Sequence, residues 1–124
     1  MITETSQIKI ALADDHVLLR NALAIMINNF DGFKVTLETS TGDELLEKMH
    51  GGIIPDIILL DLNMPGIGGR ETAKRLHDEF PNVYVLMLTM YDTETTMVQL
   101  LQAGVRGFPR KDLGPLELKF ALNS

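Results

Sequence analysis

Short apolar runs alternate with longer amphipathic stretches five times along this chain, and that rhythm restricts the fold more than any other feature. Ile8 to Ala13 is a β-like run. After it, Leu19, Leu23, Met26, Ile27 and Phe30 recur at the spacing of one helical face, with Asp15 placed to cap the helix and Asp31-Gly32 breaking it. Phe33 to Thr39 alternates apolar and polar residues as a half-exposed strand does, and Gly42 to His50 reads as a short helix ended by Gly51-Gly52. Ile57-Ile58-Leu59-Leu60 is apolar on both faces, which suits a central strand covered by helices on both sides. Arg70 to Phe80 reads as a helix, Val83 to Leu88 as a second fully apolar strand, and Thr93 to Ala103 as a helix with Gly104 at its C-terminal end. Val105 to Phe108 reads as a last short strand, and Leu116 to Leu122 as a final helix. Strands spaced by helices in this way predict an α/β fold with a doubly wound, five-stranded parallel sheet.

Composition closes off several alternatives. At 124 residues the chain is one domain in length, and its 45% apolar and 23% charged content is that of a soluble globular protein. Without cysteine it has no disulfide, no thiolate metal site and no cysteine nucleophile. The balance of 11 basic against 17 acidic residues gives a net charge of −6, and the bases are spread along the chain. Direct nucleic-acid binding by this chain is therefore not expected. No apolar run approaches the ~18 residues of a membrane span, and Met1 to Gln7 is a polar tail with no signal-peptide core, so the expected location is the cytoplasm.

In a doubly wound sheet, ligands bind beyond the carboxyl ends of the strands. Asp14-Asp15 follows the first apolar run, Asp61 the third and Thr89 the fourth, while the fifth leads to Lys111. Three carboxylates gathered on one rim call for a shared cation. An oxygen-only donor set favours Mg²⁺, with Lys and Thr as partners for phosphate oxygens. Taken singly, each residue has an ordinary explanation: a strand end, a helix cap, a turn, a solvated charge. Their joint placement at four strand ends points instead to phosphoryl transfer with an aspartate as the acceptor.

The stretches Ala13-Asp14-Asp15-His16, Asp56 to Gly66, Leu88-Thr89 and Gly104 to Lys111 resemble the receiver domain of bacterial two-component response regulators. The resemblance runs from Ile8 to about Leu118, and it implies a flavodoxin-like (CheY-like) fold with residues 8–124 as the receiver. Asp-Asp-His-x-x-x-Arg, from Asp14 to Arg20, and Leu-Thr-Met-Tyr-Asp, from Leu88 to Asp92, are similar to the NarL/FixJ/LuxR-type subgroup. Full-length members of that subgroup carry a C-terminal helix-turn-helix domain.

The resemblance implies specific roles. Asp61 takes a phosphoryl group from the phosphohistidine of a sensor histidine kinase. Mg²⁺ is held by Asp15, Asp61 and the backbone carbonyl of Asn63, with Asp14 acting largely through water. Thr89 and Lys111 contact the phosphoryl oxygens, Phe108 is the aromatic switch, and Asn63 and Tyr91 modulate autodephosphorylation. Such a domain is a signalling element, with Mg²⁺-dependent self-phosphorylation and autodephosphorylation as its only chemistry. It can dimerise on phosphorylation and reach DNA only through an output domain that this chain does not contain. The alternative is a stand-alone receiver acting by protein contact or phosphorelay.

Some positions depart from the family pattern. Pro109-Arg110 precedes the lysine where two apolar residues are usual, which shortens strand 5 and bears on the placement of Lys111. Gly68-Gly69 stands for a more usual Asp-Gly, and Asp112 follows the lysine. Two other functions are open to this fold. A flavodoxin-type cofactor binder needs a Ser/Thr/Gly-rich phosphate loop after strand 1, where this chain has Asp-Asp-His-Val. A small-molecule aspartyl phosphatase usually has Asp-x-Asp and a cap domain, whereas Asp61 is followed by Leu62-Asn63. His16 is expected at a helix start, and His50 and His77 on exposed helix faces.

Overall fold

The computed structural model describes residues 7–89, 94–110 and 114–123. Four strands, β1 (Ile8–Ala13), β2 (Phe33–Thr39), β3 (Ile57–Asp61) and β4 (Tyr84–Leu88), form a parallel sheet in the order β2-β1-β3-β4. Five helices complete the fold: α1 (Val17–Asn28), α2 (Gly42–His50), α3 (Gly68–Glu79), α4 (Glu94–Gln102) and α5 (Pro115–Asn123).

The pleat of each strand sends alternate side chains into two separate cores. Ile57 and Leu59 of β3 join Ile10, Leu12, Leu86 and Leu88, covered by Leu23, Ala24 and Ile27 of α1 and Leu118 and Leu122 of α5. Ile58 and Leu60 join Ala11, Ala13, Val85 and Met87, covered by Leu45 and Met49 of α2, Leu76 of α3 and Leu100 of α4. This two-sided burial is why the β3 run is apolar throughout, and each large side chain so buried stabilises the fold by about 1.5–3 kcal/mol.

Local chemistry sets the element ends. The Thr41 hydroxyl caps α2 by accepting from Glu44 N at 3.1 Å, while Glu44 Oε1 accepts from Ser40 N at 2.9 Å. At the end of α4, Gly104 has φ +92°, and two bonds close the helix: Gly104 N donates to Leu101 O and Val105 N to Leu100 O, both at 3.0 Å. That double closure needs a left-handed residue, which glycine adopts without a Cβ penalty. Asp15 does not cap α1. His16 is the N-cap residue, its side chain making no capping bond, and its backbone N–H donates to the Asp14 carboxylate at 2.9 Å.

The expected fifth strand is not formed as a strand. Residues 105–110 run parallel to β4 through two isolated bridges, Leu86↔Gly107 and Thr89↔Arg110. Met87 N donates to Gly107 O at 2.9 Å, and Thr89 N to Pro109 O at 3.1 Å. A regular ladder would next return an N–H from position 109 to the Met87 carbonyl, and proline has none. The segment Val105 to Phe108 therefore covers the edge of β4 without joining the sheet as a continuous strand. Helix α3 begins two residues earlier than the pattern of Arg70 to Phe80 indicates, and Phe80 is its C-cap.

Candidate functional site

The chain passes from β1 to β2 on one side of β1, then crosses to β3 on the other, so strand order reverses between β1 and β3. The last register pair of these strands is Ala13↔Leu60. One residue further on each strand stand Asp14 and Asp61, at the crevice where such sheets bind ligands. Both carboxylates are buried, each only 1% exposed, whereas Asp15 is exposed.

Each buried carboxylate is oriented by the backbone of its own turn. Asp14 Oδ1 accepts from His16 N at 2.9 Å, and Asp61 Oδ1 from Asn63 N at 3.2 Å. A carboxylate has about four acceptor sites, so such a group can take several donors or a cation at once. Asn63 itself is exposed in the β3–α3 loop. Behind Asp61, Gly69 of α3 lies so close that a Cβ there would stand 2.3 Å from the Asp61 carbonyl oxygen. Gly69 N donates to Leu62 O at 3.0 Å, so the first turn of α3 is set directly on the end of β3.

Thr89 lies at the C-terminal end of β4 and is buried, 3% exposed. Phe108 is half-buried against the core on the α2–α3–α4 face. Lys111 and Tyr91, expected at the phosphoryl group and as a rate-modulating residue, lie outside the described residues. Asp14, Asp61, Thr89 and Phe108 are thus found on or next to the rim, with Asp15 and Asn63 at its mouth.

Among the described residues, one carboxylate oxygen of Asp14, one of Asp15 and one ring nitrogen of His16 lie within 4.8 Å of one another. Asp61, on the neighbouring strand, is not in that trio. The His16 side chain is 73% exposed, with Nδ1 4.0 Å from Asp14 Oδ1. This is a helix-start position beside the rim, as expected. A hard cation prefers carboxylate, carbonyl and water oxygens, so the oxygen donors of Asp14, Asp15 and Asp61 fit Mg²⁺ and His16 is not needed for it.

In the sequence Arg20 stands out only as one of the scattered bases and as the last residue of the Asp14-to-Arg20 motif. In the fold its Nη1 donates to Asp14 O at 2.9 Å, to Ser40 Oγ at 2.7 Å and to Thr39 O at 3.3 Å. Its Nε lies 3.4 Å from Glu38 Oε1. The signal was present: Arg20 follows the N-cap His16 by four residues, on the same helix face. Its acceptors at the end of β2, Thr39 and Ser40, are 19 and 20 residues away, which no local pattern reveals.

The family model for the response regulator receiver domain matches residues 10–123. The response regulator GacA of Pseudomonas syringae pv. syringae is 34% identical over 115 residues, covering 93% of this chain and 53% of that protein. The response regulator UvrY of Escherichia coli (strain K12) is 31% identical over 117 residues, covering 94% and 53%. The chain thus spans about half the length of the curated relatives it matches. Among solved structures, a LuxR-family two-component response regulator from Aurantimonas sp. SI85-9A1 superposes with a TM-score of 0.87 at 28% identity, covering 95% of this chain and 84% of that one.

Proposed function

Since the chain belongs to the response regulator receiver domain family, we propose that it is a phosphorylation-controlled switch with Asp61 as its phosphoacceptor. The observation that carries this reading is the burial of Asp61 at the end of β3, one register step from Asp14, where strand order reverses. In the transfer, a carboxylate oxygen of Asp61 bonds to phosphorus as the P–N bond of a kinase phosphohistidine breaks, and the electron pair returns to the imidazole. The chain needs no general base for this step, because its nucleophile is already an anion and the donor supplies the leaving group.

Asp15, Asp61 and the Asn63 carbonyl would hold Mg²⁺, with Asp14 acting through water. The ion supplies charge neutralisation for the phosphoryl oxygens. Asn63 N–H orients the acceptor carboxylate, and Thr89 and Lys111 receive the phosphoryl oxygens once Asp61 is modified. Phe108 then turns toward the space beside Thr89, while Asn63 and Tyr91 tune how fast water removes the group.

The receiver comprises residues 8–124, preceded by a polar tail. It acts in the cytoplasm with a sensor histidine kinase, and in the full-length regulator it controls a DNA-binding output domain, with homodimerisation as the switched step. The family and the likeness to GacA and UvrY support this reading, and among the described residues no helix is long and apolar enough to cross a membrane.

The test is incubation with acetyl phosphate and Mg²⁺, read by intact mass. One phosphoryl group should be gained and should vanish in Asp61→Asn. Undiminished labelling of that variant overturns the assignment.

A further inference from the structure

We propose that Arg20 is a positioning residue for the acidic rim, clamping the Asp14–Asp15 peptide so that the two carboxylates are presented to a divalent cation. The inference rests on the reading of the rim as a Mg²⁺ site and goes beyond it, because Arg20 touches neither carboxylate.

The clamp is built from both sides of Asp14. Asp14 N donates to Thr39 O at 3.0 Å, and Asp14 O accepts from Arg20 Nη1 at 2.9 Å. The same Nη1 reaches Thr39 O and Ser40 Oγ, so one nitrogen joins the ends of β1 and β2. Glu38 Oε1 lies 3.4 Å from Nε on the other side of the guanidinium, a charge pair without hydrogen-bond alignment, and the arginine side chain is only 14% exposed. The carbonyl that Arg20 grips lies in the planar peptide unit that also contains Asp15 N, so fixing its plane sets the direction in which the Asp15 chain leaves the strand. Among the described residues, exposed Asp15 makes no hydrogen bond, and the peptide on its N-terminal side is where the fold acts on it. Arg20 is itself held by its place in the first turn of α1, where its N–H donates to His16 O at 2.9 Å.

Charge and geometry predict opposite signs here, which makes the role separable. Removing a cation beside an acidic site makes the local potential more negative, so a purely electrostatic role for Arg20 predicts tighter Mg²⁺ binding in Arg20→Met. Loss of the clamp predicts weaker binding, and loss of an outer-shell partner of a metal ligand typically costs 10–100-fold in metal affinity.

The experiment is a MgCl₂ titration of the whole chain followed by ¹H–¹⁵N NMR at the amides of residues 13–16 and 39–41, which reports fold and affinity together. Arg20→Met with a native-like spectrum should bind Mg²⁺ about 10-fold more weakly or worse. Equal or tighter binding overturns the proposal. If Arg20→Met does not give a native-like spectrum, Arg20→Lys decides. It keeps the charge but is one bond shorter, so several-fold weakening supports the clamp and unchanged affinity overturns it. Absence of any saturable Mg²⁺ response in the unsubstituted protein would overturn the cation-site reading and the clamp together, whereas a response that Arg20→Met reproduces overturns the clamp alone.

Discussion

Gly69→Ala would place a methyl carbon 2.3 Å from the Asp61 carbonyl oxygen, 2.7 Å from Leu62 Cα and 2.8 Å from Leu62 O. All three are backbone atoms, so no rotamer change relieves the contact. Restoring ordinary van der Waals separation requires the start of α3 and the end of β3 to part by about 1 Å, and overpacking of this kind costs about 1–3 kcal/mol. The bond from Gly69 N to Leu62 O spans the same gap, and its weakening adds up to about 1 kcal/mol. We therefore expect a loss of about 2–3 kcal/mol in urea unfolding, read by circular dichroism. The displaced atoms belong to Asp61 itself. Because a 1 Å misplacement can cost on the order of 100-fold in rate, labelling by acetyl phosphate should slow by one to two orders of magnitude. Gly32→Ala is the control. Gly32 has φ +88° with nothing within 4 Å of an added Cβ, and it precedes β2, at the opposite rim from Asp61. It should lose about 1–2 kcal/mol from left-handed backbone strain while labelling at the normal rate. Unfolding of Gly69→Ala within about 0.5 kcal/mol of the parent with labelling as fast, or equal slowing of labelling in Gly32→Ala, would refute this role for Gly69.

Three further outcomes are expected. Asp15→Ala should remove most Mg²⁺ binding and Asp14→Ala less, since Asp14 is assigned a water-mediated role; calorimetric titration of both variants giving equal losses would contradict that division. Thr89→Ala should shrink the beryllofluoride-induced NMR shifts from Met90 to Ala103 and around Phe108, and identical shifts in parent and variant would remove Thr89 from the signal path. Thr41→Ala removes the cap of α2 and should cost about 1 kcal/mol in urea unfolding, with labelling of Asp61 unchanged.

The limits of β1, β2 and α2 could be read directly from the residues, because each is bounded by a local signal. Alternation sets β2, the Thr41 cap and the paired glycines set α2, and Asp14 ends β1. The acidic rim was legible for the same reason: in a parallel sheet, whatever follows an apolar run emerges at one end, so the placement of Asp14, Asp15, Asp61 and Thr89 follows from their position in the chain. Other features depend on atoms brought together from distant segments. The fifth run has strand-like residues, yet Pro109 stands at a register position that would return an N–H to the Met87 carbonyl, and register exists only once β4 is in place. The role of Gly69 arises from the closeness of α3 to the end of β3, and that of Arg20 from acceptors just past the ends of β1 and β2 that converge on one nitrogen. Periodicity and capping are local properties of the chain, whereas close approach and hydrogen-bond convergence belong to the packed molecule, and for that reason the tertiary structure alone decided them.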